Sequence, residues 1–507
     1  MRYILLFFIL AFTFSGFAQY KNFVEGSEFS RSKSESFNGF IGVVNQVLYS
    51  VDYSYINKKK KSLMLRQFDQ DDLTLIVEKD IFIEPLEGYY NEPYELYLVN
   101  ETIYLFSIFT HAKANTTTLG LFIYDKNMVN QSFEIIDSIE KLSLTNIIIQ
   151  LSEDKNAFLI SKNHPHKLTQ KEVIDLNCLN LSGQSVWRKE LISMNDVHNI
   201  NVEKVIFPDQ NEAFLLCNYG YNNNVNKNLD DIKLLSNKYA IWAYNNQLNY
   251  LKEINLRLKL KWLNGIDMEI RDNGHILVAG FVNSSRSFAI NAFFNIEIDR
   301  KYEITRNNYF QIDPTVVRQF LLKESKKKAI ENFFLRNILI QNDGSFYILG
   351  EHFHKYLDRV YDPRTNTTST IEHFNYEYIM AARFNKLGEF EWVKRIPKIQ
   401  NSTNDFGYYS SFTPFNSQNE IYLVYNDYDK NLELPIEDTE NIKPLFNGRK
   451  NALTYVKIDA DGSVFRKPIP ISNNYLLYAK KSMQIDNENM YLLLELGRKS
   501  KIIRLSF

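Results

Sequence analysis

The sequence predicts an all-β fold made of one four-stranded unit repeated along the chain, and three observations lead there. First, a strand–turn–strand phrase returns eight times, at residues 41–53, 95–109, 144–160, 205–217, 268–281, 337–350, 412–425 and 483–496. Its clearest copies carry Asn273 and Gly274, or Asp343 and Gly344, between two apolar runs, which is the signature of a β-hairpin. Second, most copies are followed by another hairpin. It is clearest at 176–187, 382–392 and 456–465 and weaker at 65–77, 121–135, 241–254 and 293–304. Third, the eighth unit has its first hairpin and then a single strand at 501–507, while the segment 20–29 has no other partner.

Four strands per unit, returning about every 55–75 residues, is the layout of a β-propeller. The strands of each unit are called A to D here. The A–B turns read Asn45-Gln46, Asn100-Glu101, Asp154-Lys155-Asn156, Gln210-Asn211, Asn273-Gly274, Asp343-Gly344, Gln418-Asn419 and Asn487-Glu488. In two C–D hairpins a Gly precedes a Trp by four residues, Gly183 before Trp187 and Gly388 before Trp392. Placing segment 20–29 as the outer strand of the last unit closes the ring and removes an exposed sheet edge. The expectation is an eight-bladed propeller closed by its N-terminal strand; seven blades is the alternative if one weak copy is discounted.

These motifs resemble the secreted β-propeller repeat proteins of Bacteroidota-type bacteria. The matching residues are Asp343-Gly344 with Gly350, Gly388 with Trp392, Asn273-Gly274 with Gly280, and Asp459 with Gly462. The leader ending Phe17-Ala18-Gln19 looks like that group too. The resemblance implies a fold and a compartment, and no reaction.

Arg2, an apolar run from Tyr3 to Phe14 broken by Thr13, and Gly16-Phe17-Ala18 read as a signal peptide cleaved after Ala18. The expected domains are therefore 1–18, the signal, and 19–507, one propeller exported to the periplasm, cell surface or medium. The apolar run is short for a bilayer span. The formal charge of −1 lacks the basic stripe that nucleic acid calls for, and the runs Lys58 to Lys61 and Lys326 to Lys328 read as solvated loops. Cys178 and Cys217 sit within predicted strands and read as buried thiols.

In a propeller the A–B and C–D turns share one face and the B–C and D–A loops the other. Here the long insertions, 218–238, 351–375, 426–450 and 306–334, all belong to the second face, on units four to seven. Insertions on one face of a repeat protein mark its binding face. Within 306–334, Asp313-Pro314 starts a short helix as cap and first residue, with Val316, Val317, Phe320 and Leu321 as its apolar side. The residues expected to touch a ligand are His352, His354, Asp358, Tyr361, Asp362 and Asp427. His352 and His354 share one side of an extended segment, with Glu351 adjacent and Glu372-His373 at the far end. That spacing admits a divalent cation, but surface histidines are commoner, so the sequence alone assigns no metal and no cofactor. Asp459-Ala460-Asp461-Gly462 lacks a Glu at the twelfth position of a calcium loop, where Pro470 falls, and reads as a turn. No nucleophile elbow, Walker loop or His-Glu-x-x-His is present. The reading is an exported, non-catalytic binding protein for a protein or glycan partner. The alternative is a secreted hydrolase or lyase acting on polysaccharide in the same loops.

Overall fold

The computed structural model describes residues 22–32, 35–57, 60–83, 86, 89–111, 116–140, 146–165, 172–192, 200–219, 238–256, 262–283, 289–320, 329–417, 420–471 and 474–507. The leader, the stretch 220–237 of the first insertion, Lys58, Lys59, Lys326 to Lys328 and the Gln418-Asn419 turn lie outside them. Among the described residues the chain forms eight sheets in sequence order, antiparallel apart from one parallel pair in the sixth. Most are meanders of neighbouring strands, as in Trp262–Ile270, Ile276–Asn283, Ala292–Ile298 and Ile304–Gln311.

The hairpins form for local reasons. Asn45-Gln46 and Asn100-Glu101 have positive φ at both residues, the type I′ geometry whose twist matches the flanking strands. At 341–345 the Gly344 N–H donates to the Gln341 carbonyl (2.9 Å) and Asp343 Oδ1 accepts from the Ser345 N–H (2.8 Å). Gly344 takes φ +81 there, a conformation a side chain resists. Asp459–Gly462 closes the same way, through Gly462 N–H to the Asp459 carbonyl at 2.9 Å. The segment is a turn, as its sequence indicates.

Eight apolar clusters lie between the sheets, each joining one sheet to the next. Leu159 and Leu176 of the third sheet pack with Leu215 and Trp242 of the fourth, and Val278 and Phe294 of the fifth with Phe214 and Ile241 of the fourth. The series closes on itself: Leu493 and Ile502 of the last sheet pack with Leu48 and Phe68 of the first. Closure is made by backbone pairing as well. Asn22–Glu25 runs antiparallel beside Lys499–Ser506, with Phe23 opposite Leu505 and Glu25 opposite Ile503. The fold is therefore an all-β propeller, and its N-terminal strand completes the last sheet. Full burial of a Leu, Ile or Phe stabilises by about 1.5–3 kcal/mol, and here that burial is spread over many small interfaces rather than one core.

The paired tryptophans have a common task. Trp187 Nε1 donates to the Gln210 carbonyl (2.7 Å) and Trp392 Nε1 to the Ala460 carbonyl (3.0 Å). Each reaches from an outer strand to a turn of the following sheet. The expected helix is present at Pro314–Gln319, with Asp313 Oδ1 accepting from the Thr315 N–H at 2.7 Å and Val317 buried; Leu321 lies outside the described residues. Cys178 and Cys217 are free and buried. No helix among the described residues is long and apolar enough to cross a membrane.

Candidate functional site

The sixth sheet departs from the others at its two middle strands. Phe346–Asp362 has 17 residues and Thr367–Phe384 has 18, about three times the usual strand length. The segment 351–375, expected as a loop, is a protruding hairpin with its turn at 363–366. The register is continuous across it, with His354 opposite Asn375, Tyr356 opposite His373 and Asp358 opposite Ile371. The physical reason is alternation: aromatic and β-branched residues interleave with polar ones along both halves, which suits a pleated ribbon.

A second correction concerns how the insertions relate. Gln400–Thr403 pairs with the second long strand, Gln400 opposite Tyr376 and Thr403 opposite His373. Leu445–Phe446, from the insertion of the seventh unit, then adds in parallel to Gln400 and Asn401. The insertions of units six and seven are thus one sheet rather than independent loops. A cleft opens beside it, lined by Asn401, Ser402, Asp405, Tyr409, Leu445 and Leu476. Next to lining residues in sequence, Phe406 is 77% exposed and Phe446 is exposed, and Leu357 and Tyr361 are exposed along the hairpin.

The root of the hairpin carries a bulge. The register steps from Glu351 opposite Ile379 to Phe353 opposite Tyr376, so Glu377 and Tyr378 together oppose His352. Bulges re-aim side chains, and this one turns Glu377 toward the histidines. His352 Nδ1 lies 3.0 Å from Glu377 Oε2, both side chains being largely buried. His354 follows on the same side, its ring centroid 5.7 Å from that of His352, and its Nε2 meets Asn375 Nδ2 at 2.9 Å. Burial is the main cause that lowers the His354 pKa, against the pull of Glu377. Burial would raise the Glu377 carboxyl, but the His352 hydrogen bond and the charges of His352, His354 and Lys398 bring it below its ordinary range. Further out on this side, Tyr356 stacks on His373 at 4.4 Å, and His373 Nε2 meets Asp358 Oδ2 at 3.0 Å.

The opposite side of the root holds a buried ion pair. Lys398 Nζ is 2.8 Å from Glu351 Oε1, and both side chains are fully buried. Arg336 Nε and Ser411 Oγ donate to Glu351 Oε2 at 2.9 and 2.7 Å. Burial alone would raise the Glu351 carboxyl; Lys398 and Arg336 hold it lowered. This residue props the hairpin and is not a ligand of the histidines.

The sequence-predicted residues therefore separate. His352, His354 and Asp358 share one side of the hairpin, Tyr361 stands near its tip with its hydroxyl on Asn366 Oδ1 (2.9 Å), and Asp362 ends the strand. Asp427 is not on this surface. It is fully buried, and its Oδ1 accepts from Asn431 Nδ2 and the Tyr428 N–H, both at 2.8 Å. Burial raises its pKa. It anchors the first turn of the seventh unit's insertion, Asp429–Glu433. Sequence reasoning missed Glu377 and Asn375, whose signal was their alternation opposite the histidines once 351–384 is read as a hairpin.

A chain with this ring of sheets and one elaborated edge is a β-propeller with a built-up insertion face. No protein-family model matches it, and no curated protein is similar to it. Among solved structures it is similar to the WD40 domain of SCAP from fission yeast, at 10% identity and TM-score 0.39, over 94% of this chain and 99% of that one. It is similar also to the β-propeller domain of the Trilobed protease from Pyrococcus furiosus, at 9% identity and TM-score 0.38, over 88% and 98%. A third is the polysaccharide lyase Uly1, at 9% identity and TM-score 0.40, over 95% and 99%. These likenesses are loose, and the fold assignment rests on the sheets and their register.

Proposed function

We propose that the protein is an exported binding propeller that takes a protein or glycan partner on the joined insertion sheet of its sixth and seventh units. The observation that carries this reading is the shared sheet itself. Two insertions separated in sequence are hydrogen-bonded into one platform beside a cleft of mixed polar and apolar lining, with exposed Phe406 and Phe446 adjoining lining residues in sequence. Rings beside convergent amide, hydroxyl and carboxylate groups suit a sugar face with its polar edge, or a peptide. Export rests on the leader residues Arg2 to Ala18, and the resemblance to secreted Bacteroidota-type propellers agrees with it. The alternative, a polysaccharide hydrolase or lyase, draws on one observation, the clustering of His352, His354 and Glu377.

The test has two arms. Mature protein from its native host should begin at or near Gln19; recovery of intact Met1 in the cytosol ends the export reading. A glycan array, and crosslinking from a photoreactive group at residue 357 in host envelope extract, should report contacts that vanish when 355–371 is replaced by a two-residue turn. Unchanged contacts after that replacement, or contacts on the short-turn face, would refute the assignment of the surface.

A further inference from the structure

We propose that His352, His354 and Glu377 bind one divalent transition-metal ion of the zinc class at the root of the protruding hairpin. This stands apart from the partner reading and does not depend on it. The three residues can each offer one ligand atom, all within 4.8 Å of one another. A tetrahedral ion with bonds of about 2.0–2.1 Å sets its ligands roughly 3.4 Å apart, so small side-chain adjustments suffice. Two imidazoles and one carboxylate suit zinc and its first-row neighbours and leave a coordination position open to water or an exogenous group.

Three further observations point to a ligand. His354 Nδ1 is a buried atom without a hydrogen-bond partner, and buried polar atoms are seldom left so, while His352 Nδ1 and Glu377 Oε2 converge on each other at 3.0 Å beside it. The other ring nitrogen of His354, Nε2, lies 2.9 Å from the Asn375 side-chain amide. With the amide oxygen turned to it, Nε2–H donates and Nδ1 presents its lone pair outward, the arrangement metal-ligating histidines adopt. Arg395, which would oppose a cation here, is engaged elsewhere: its guanidinium lies over the Tyr378 ring at 3.6 Å and bonds to the Gln319 carbonyl. The ion would cross-link the two strands at the bulge, where the backbone ladder is interrupted, and so fix the angle at which the hairpin leaves the ring.

The test uses the mature protein after chelation and dialysis, titrated with Zn²⁺ alone by calorimetry. One ion per chain is expected, with a rise in melting temperature. Asn375→Ala should weaken binding about 10–100-fold, and His354→Ala and Glu377→Gln should weaken it more. His373→Ala, on the same side but outside the cluster, should bind as wild type. Co²⁺ should give the intense visible bands of a tetrahedral site, and these should disappear in Glu377→Gln. Circular dichroism of each metal-free variant controls for folding. Failure of the folded wild type to take up one ion, or binding by folded Glu377→Gln and His354→Ala equal to wild type, would overturn the proposal.

Discussion

His352 and Glu377 face each other across a bulge, Nδ1 to Oε2 at 3.0 Å, although 25 residues separate them and the hairpin between them projects from the ring. The pairing exists because the second long strand carries one residue more than the first at that point. Without the bulge, His352 would oppose a single partner and Glu377 would not reach it.

The buried pair beneath the hairpin is the first place to probe. Glu351→Gln leaves Lys398 charged and fully buried. Breaking a buried pair from one side costs about 3–5 kcal/mol, so urea unfolding should shift by that order. Glu351→Gln combined with Lys398→Met should recover part of the loss. Equal stability of wild type and the single variant would show that the pair does not support the root.

Ring closure gives a second prediction. Deleting residues 19–30 removes the strand Asn22–Glu25, its four register pairs, and the Glu28 contact with the Tyr475 hydroxyl at 2.6 Å. Each lost hydrogen bond is worth about 1 kcal/mol, and an exposed edge follows. The truncated protein should unfold at clearly lower denaturant and associate more readily. A melting curve matching the full mature chain would refute closure.

Asp427 supplies a pH prediction. Burial raises its pKa above the ordinary 3.8. A carboxyl raised in the folded state contributes stability that is present below the unfolded value and is lost as pH rises through the folded value. Asp427→Asn keeps an oxygen for Asn431 and the Tyr428 N–H and removes that titration. The variant should therefore gain stability relative to wild type between about pH 4 and pH 7, measured by denaturant unfolding at both. A difference that stays constant with pH would contradict the burial argument.

The inter-sheet tryptophan bonds give a smaller effect. Trp392→Phe keeps most of the ring packing and loses the bond to the Ala460 carbonyl. About 1 kcal/mol of destabilisation is expected, as it is for Trp187→Phe, whose bond is to the Gln210 carbonyl. The two sites belong to different interfaces, so the double variant should lose the sum. Thermal unfolding of the three variants measures this.

Much of the fold was legible because its signals are local. Period-two apolar runs, the turns Asn45-Gln46 and Asp343-Gly344, and the cap Asp313-Pro314 act over a few residues, and each lies in the structure as its sequence reads. The unpaired segment near the N-terminus and the single strand at the end also named each other, because an unsatisfied edge on one requires the other. Register was not legible. Whether Asp427 faces solvent or the interior depends on which residue stands opposite it, and a buried Asn431 four residues later decides that only after the chain has folded back. The same holds for the candidate site. Sequence placed His352 and His354 on one side of a strand, since side chains alternate, but the bulge that brings Glu377 to them is a property of two strands paired. Only the tertiary structure sets that pairing, because it comes from packing both faces of the sixth sheet against its neighbours.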